Sequence, residues 1–431
     1  MSDVHAEQDQ KGRQRFWFVL LFAVFAAASF DFLMSVDYVE RRERTVEARL
    51  EQSVERTEAG NVRRQAVLLL LGAASAISLF KRGRDPLSLN GPLPWLIAFL
   101  FAWACLSVLW SYDGALTFRR VVILGILLLS ALAAAERFTF RQIMQFAFVS
   151  GCAMLVLGLG AELALGMFKP WDAEYRFAGV MNPIFTGAHC GMTAVAGFAL
   201  ARDAKSHRNW YIAAALAALL FMLLTRSRGP AGATAAAMLV YAWMVRPQFR
   251  RFAVLGILAL AVLLVFPSFR GDTYSTTEGA LLFGRQVESS HEWQGRDALW
   301  QECLAYAARR PILGYGYDGF WTRDFTFDVT DASGFTSQHT HNAFLDMLLG
   351  VGIPGAAAHL LIVLLAMIYL AARYRRTGVP DYAAALALLV LYAIHNMFVS
   401  VQLAVQIQTF VVLAIIMKLA FFQKDTDAAS A

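Results

Sequence analysis

Residues 336–355 read TSQHTHNAFLDMLLGVGIPG. Two histidines, His339 and His341, stand one residue apart, and Asn342 leads into an apolar run interrupted by Gly352, Pro354 and Gly355. Histidine exchanges a proton near neutrality, so either ring could act as general base toward an alcohol. The pair could instead cap a broken helix or hold a metal, although H-x-H without a third ligand does not by itself specify zinc. Asn342 suits the N-cap of the following helix. Asp346, about one turn further on, is expected as a helix-surface carboxylate, with orientation of a histidine as the alternative.

A second set of candidates is cationic. TRSRGP places Arg226 and Arg228 in a tight turn between two apolar blocks, EYRFAGVMNP places Arg176 just before another, QGRDALW carries Arg296, and TFRRV carries Arg119 and Arg120. The guanidinium fork donates two parallel charge-assisted hydrogen bonds and keeps its proton, which suits a phosphate. A convergent set at a membrane surface would make a clamp for a lipid pyrophosphate. The competing reading has each arginine reaching ordinary lipid headgroups, and Arg119 and Arg120 fit that reading best.

These groups must be positioned by membrane helices. Of 431 residues, 58% are hydrophobic and only 16% charged, against roughly 25% charged in soluble domains. The apolar residues come in blocks of about 20, the length that crosses a hydrocarbon core. An all-α integral membrane protein is therefore expected, with about twelve spans near 16–36, 65–81, 93–111, 121–135, 142–166, 183–202, 210–225, 230–246, 252–268, 343–372, 381–399 and 402–422. The block 343–372 is too long for a straight span, so its first turns should form a re-entrant or interfacial piece broken at Pro354 and Gly355.

The chain then divides into residues 1–268 with nine spans, a large loop at 269–342, and residues 343–431 with three spans. Basic connections such as KRGRD, ERFTFR, RDAKSHR, RPQFRR and RYRRTG fall on one side, expected to be cytoplasmic together with both termini. The N-terminal run KGRQRFWFVLLFAVFAAAS could be a cleaved signal but is long enough for an uncleaved span. Residues 37–64 carry both charge signs at helical spacing and suit a helix lying on the membrane surface opposite the cytoplasm. The large loop is expected to be ordered because it holds Trp293, Trp300, Tyr315, Tyr317, Phe320 and Trp321. Its GYGYDGFW stretch could pack against sugar rings or simply form a tight loop.

The net charge of +6 is accounted for by the short basic turns, so topology and membrane lipids are the expected partners rather than nucleic acid. Cys105, Cys152, Cys190 and Cys303 show no C-x-x-C spacing and suggest neither a disulfide framework nor a zinc site. His395, followed by Asn396 inside an apolar block, is expected to hydrogen-bond between helices.

Taken together, these pieces resemble the O-antigen ligase family, within the wider group of bacterial O-antigen ligases, polymerases and oligosaccharyltransferases. The family's signature is His, then Asn, Ser or Gln, nine residues, Gly, two residues, and Gly, Thr or Tyr. His341, Asn342, Gly352 and Gly355 fit every fixed position. Ser227, Arg228 and Gly229 match a family S-R-G turn, Arg296 and Trp300 match an arginine ahead of a tryptophan, PILGYGYDGF is similar to its P-x-x-G-x-G segment, and Arg176 with Gly179 and Asn182 matches the stretch before its sixth span. The similarity runs over roughly residues 110 to 420.

The resemblance implies a GT-C-like membrane glycosyltransferase of the bacterial inner membrane with a periplasmic active site. Its donor would be O-antigen on undecaprenyl pyrophosphate and its acceptor a hydroxyl of lipid A–core. His341 or His339 would act as base, with Arg228, Arg296, Arg176 and Arg226 holding the pyrophosphate. Asn342, Arg119 and Arg120 would border the substrate. No metal or other cofactor is implied, and a monomer is expected. A polymerase or protein O-oligosaccharyltransferase with the same donor is the nearest alternative. A glycan transporter would call for charges deep in several spans and paired broken helices.

Overall fold

The structure is a computed structural model that describes residues 62–80, 87–172, 175–204, 206–246, 248, 291–335, 337–400 and 406–422. Among the described residues every regular element is a helix: α1 (Val62–Phe80), α2 (Pro92–Leu106), α3 (Gly114–Arg137), α4 (Phe140–Ala164), α5 (Pro183–Asp203), α6 (Arg208–Leu224), α7 (Arg228–Val245), α8 (His291–Arg309), α9 (Arg323–Ser333), α10 (Ala343–Thr377), α11 (Pro380–His395) and α12 (Ile407–Phe421). Five stretches, Pro92–Leu109, α3, α4, α5 and α10, are long and apolar enough to cross a membrane, and α6, α11, α12 and Gln65–Phe80 are shorter apolar helices. The expected spans at 16–36 and 252–268, the surface segment 37–61 and loop residues 269–290 lie outside the described residues.

α5 is the central post. Its apolar window is 83% buried, against 33–56% for the other long helices, and it packs on α4, α6, α7 and α11. Small residues permit this. Gly151 of α4 lies against Thr193, Gly191 lies against Thr234 of α7, and Gly197 lies against Phe148 and Ala215. Inside lipid, where apolar burial drives helix association weakly, such close backbone approach supplies the packing. Exposed Leu69, Phe80, Trp95, Leu109, Trp171 and Trp210 decorate the outside, as expected of a surface facing lipid tails and interfaces.

α3 begins seven residues before the expected 121. Asp113 accepts from the Leu116 amide at 2.9 Å and caps an earlier start. Arg119 and Arg120 therefore sit inside the helix rather than ahead of it.

The expected break in residues 343–372 is present, but at a different residue. Gly352 carries φ 63° and ψ −172°, while Pro354 follows within a continuing helix. Pro354 falls in the first turn of the helix that resumes after the break, where a proline is tolerated, whereas a glycine at positive φ redirects the chain. The carbonyls around this break find outside partners. Leu349 O accepts from Tyr315 N at 2.8 Å, Gly350 O from Gly316 N at 2.9 Å, and Val351 O from Trp103 Nε1 at 2.9 Å. Ile353 N in turn donates to Pro311 O at 2.8 Å. The segment 311–317 is thereby laid along the break.

Beyond it, Leu299, Cys303, Ala307, Tyr315, Phe320, Trp321 and Val329 form a second core with Leu345 and Leu349 of α10. Tyr306, Tyr315, Phe320 and Phe325 meet through ring centroids 5.0–6.1 Å apart. This core roots α8 and α9 on the first turns of α10.

Gly352→Ala should destabilise the protein strongly, because a Cβ there is both left-handed and driven into the Ile312 carbonyl. The backbone term alone costs about 1–3 kcal/mol. Thermal unfolding in detergent should show a large drop for Gly352→Ala and a smaller one for Pro354→Ala; equal drops would place the break on the proline.

Candidate functional site

The loop 337–342 is pinned on several sides. Asn342 caps α10, its side chain accepting from Phe344 N at 3.1 Å and Leu345 N at 3.4 Å. Thr340 Oγ1 donates to Asn342 O at 2.6 Å and accepts from Asn342 N at 3.1 Å. Trp300 Nε1 of α8 donates to Thr340 O at 2.7 Å. Asp346 accepts from Thr340 N at 3.1 and 3.3 Å, from Trp321 Nε1 at 2.9 Å, and from Ser400 Oγ. The expected helix-surface role for Asp346 is thus incorrect: its carboxylate ties together three separate segments.

Held this way, His341 adopts φ 55°, a left-handed backbone. Histidine is among the residues that tolerate it, at a cost of order 1–3 kcal/mol that the surrounding bonds offset. The His339 and His341 rings lie 4.1 Å apart between centroids. Ser337 Oγ stands between them, 2.9 Å from His339 Nδ1 and 3.3 Å from His341 Nε2. Phe335 meets the His341 ring edge-on at 5.7 Å. His341 Nδ1 is buried and has no hydrogen-bond partner among the described residues.

The electrostatics favour neutral rings. Burial, then the neighbouring His339, then Arg296, push His341 down to about 2. His339 is also lowered, by burial first and by Arg296, against the opposing pull of Asp346 and Asp318. Arg296 of α8 is therefore brought to the histidine pair. A neutral imidazole has the lone pair a base needs, while Arg296 leaves the surroundings positive and receptive to an anion.

The other arginines gather at the turn between α6 and α7. Arg176 donates through Nε to Thr225 O and through Nη2 to Ser227 Oγ, both at 3.1 Å. Arg226 (φ 49°) reaches Asp172 O at 3.4 Å, and Arg228 is the first residue of α7, whose N-terminus favours negative charge. The segment after α11 joins this turn to the histidine loop. Phe398 lies against Gly229, Asn396 O accepts from Ala343 N at 2.9 Å, and Ser400 holds Asp346. Arg120 forms an ion pair with Asp318 at 3.3 Å. Arg119 is its neighbour on α3.

Residue types alone missed Glu162, near the C-terminal end of α4. It is 4% exposed and accepts from Ala178 N at 2.9 Å, Gly179 N at 2.8 Å and the Tyr175 hydroxyl. It thereby grips the segment carrying Arg176. The available signal was a lone acid within an apolar block, which is rarely idle. Ser337 and Ser400 gave no such signal. His395 of α11 faces Gln408 of α12, the pairing between helices expected of it, while Asn396 Nδ2 bonds back to Tyr392 O at 2.8 Å. Among the described residues no three His, Cys, Asp or Glu side chains gather as a metal site, and all four cysteines are free.

Residues 213–360 match the family described as O-antigen ligase. That stretch contains Arg226, Arg228, Arg296, His339, His341, Asn342 and both signature glycines. Arg119, Arg120, Glu162 and Arg176 precede it. The chain is also similar to the exopolysaccharide production protein ExoQ of Rhizobium meliloti (strain 1021), with 24% identity over 280 residues, covering 61% of this chain and 61% of the relative's length. These matches support the O-antigen ligase family for this chain.

Two outcomes follow from the geometry. Glu162→Ala leaves the Ala178 and Gly179 amides and the Tyr175 hydroxyl without their acceptor, so it should cost about 1–3 kcal/mol or more in thermal unfolding; an unchanged melting temperature would show that the Arg176 segment does not depend on it. His341 binds fewer protons folded than unfolded between about pH 2 and 6.5, so its contribution makes stability fall as pH drops below 6.5. Its limiting slope is about 1.4 kcal/mol per pH unit. His341→Gln should flatten the loss between pH 7 and 5, and an identical pH dependence in both proteins would contradict the burial of the ring.

Proposed function

We propose that the protein is an O-antigen ligase of the bacterial inner membrane. It transfers polysaccharide from undecaprenyl pyrophosphate to a lipid A–core hydroxyl at the periplasmic face, with both termini cytoplasmic, and works as a monomer. The observation that carries this reading is the His341 imidazole, neutral and with an unpartnered Nδ1, fixed beside Arg296 by the capped start of α10. The family match over residues 213–360 supports the choice of chemistry.

In this reading the acceptor hydroxyl gives its proton to His341 as its oxygen forms a bond to the anomeric carbon. The bond from that carbon to the pyrophosphate oxygen breaks, its electron pair leaves with the lipid pyrophosphate, and the anomeric configuration inverts. Arg296, Arg228, Arg226 and Arg176 meet the growing negative charge with fixed cations, which act best where water is excluded. Cations held by the protein take the place that a divalent ion fills in other diphosphate enzymes, so no metal is required. His339 supports the base, and Asn342 fixes the loop. Arg119 and the Arg120–Asp318 pair border the substrate from α3.

One finding favours a second reading. The relative is named for exopolysaccharide production, which suits a polymerase that passes the donor glycan to another lipid-linked glycan. Acceptor identity separates the two.

The test uses purified protein, undecaprenyl-pyrophosphate-linked O-antigen, and lipid A–core, with products resolved on a gel. Glycan should move to lipid A–core, survive a chelator, and fall at least about 100-fold in His341→Ala. Chain lengthening without lipid A–core would establish the polymerase reading. Donor binding with no product would favour a transporter, and loss of activity with a chelator that a divalent cation restores would overturn the metal-independent mechanism.

A further inference from the structure

We propose that Ser337 is a positioning residue that fixes the His341 tautomer, making Nδ1 the atom that accepts the substrate proton. The inference rests on the proposed glycosyl transfer for its consequence, but its geometry stands independently.

Ser337 is buried, 6% exposed, and its hydroxyl has one proton. Four groups lie within reach: His339 O at 2.6 Å, His339 Nδ1 at 2.9 Å, His339 N at 3.2 Å and His341 Nε2 at 3.3 Å. The carbonyl can only accept, the backbone amide can only donate, and the two ring nitrogens can do either. The shortest contact, to the carbonyl, takes the hydroxyl proton. Ser337 Oγ is then left with two lone pairs, shared among the three nitrogens that face it, the His339 amide and the two rings. A ring nitrogen facing it must carry hydrogen to bond, so His341 is protonated at Nε2 and His339 at Nδ1.

The lone pair of neutral His341 then lies on Nδ1. This is the atom that is buried without a hydrogen-bond partner among the described residues. Had the hydroxyl donated to Nε2 instead, Nδ1 would carry hydrogen and could take no proton. The two placements are not equivalent, and a single hydroxyl decides between them.

The proton inventory closes. The acceptor O–H breaks, Nδ1 gains the proton, and the oxygen's electron pair forms the glycosidic bond. The pyrophosphate leaves with the electrons of its own C–O bond. The resulting imidazolium keeps its Nε2–H on Ser337 Oγ, so the same contact that selected the tautomer also receives the charged form. The other charged and titratable groups acting on the pair are His339, Asp346 from α10, Arg296 from α8 and Asp318 from the 314–321 turn. None of them offers an oxygen to His341 Nε2 in place of Ser337.

Full-length protein in detergent tests this with Ser337→Ala and Ser337→Thr. Ser337→Ala should lower kcat by about 100-fold with little change in donor KM, and Ser337→Thr, which keeps the hydroxyl, should recover most of that loss. A wild-type kcat in Ser337→Ala, a change confined to KM, or a threonine variant as slow as the alanine variant would each overturn the proposal. Nitrogen NMR of histidine-labelled protein needs no substrate and separates this idea from the transfer reaction. His341, assigned by difference against His341→Gln, should show hydrogen on Nε2 in the wild type and lose that preference in Ser337→Ala. Hydrogen on Nδ1 in the wild type would refute the tautomer assignment even in an active enzyme, and the expected tautomer in a protein that transfers no glycan would leave it standing while removing the proposed function.

Discussion

The fold around the site depends on what happens to the backbone carbonyls at Gly352. A helix that turns aside there leaves acceptors needing donors, and an unpaired carbonyl in apolar surroundings costs roughly 2–7 kcal/mol. The donors come from Tyr315, Gly316 and Trp103, so the bend cannot exist without the segment 311–317 lying against it. That segment continues into Asp318, which pairs with Arg120, and Trp321, which holds Asp346. A single backbone deviation thus organises the first turns of α10 and the segments that touch them.

The site itself is a set of opposed electrostatic requirements. Its cations are needed for a negatively charged ligand, yet a cation beside an imidazole discourages the ring from holding a proton. The structure separates the two by distributing the arginines. Arg296 acts on the histidines, whereas Arg226 and Arg228 lie at the α6–α7 turn and Arg176 bonds to it, that turn being joined to the histidine loop by residues 396–400. An arriving anion would screen Arg296 and strengthen His341 as a base, coupling ligand charge to proton affinity.

Much of this was legible from residue types. The His341–Asn342 start, the glycine spacing and the arginine turn all stood out, and the helix from Pro183 to Asp203 emerged close to the expected 183–202. What escaped notice depended on partners distant in sequence. Asp346 looked like a surface carboxylate because its partners, Trp321, Thr340 and Ser400, lie on segments that only the fold brings together. Pro354 looked like the break because proline is the obvious interruption, while a glycine's handedness is invisible until φ is known. Glu162 was visible as a lone acid, but its hold on residues 175–179 was not. Ser337 is an ordinary serine until its four neighbours are measured.

The left-handed backbone at residue 341 narrows what evolution could place there. Positive φ admits glycine readily and asparagine, aspartate and histidine with modest strain, but excludes the β-branched and bulky apolar side chains. Within that short alphabet, glycine has no side chain to react, asparagine does not titrate, and aspartate would set a negative charge where an anion is to bind. Histidine alone offers a neutral ring nitrogen with a free lone pair. Chain geometry therefore does much of the choosing before any substrate exerts selection, and the chemistry at this position is written partly in its torsion angle.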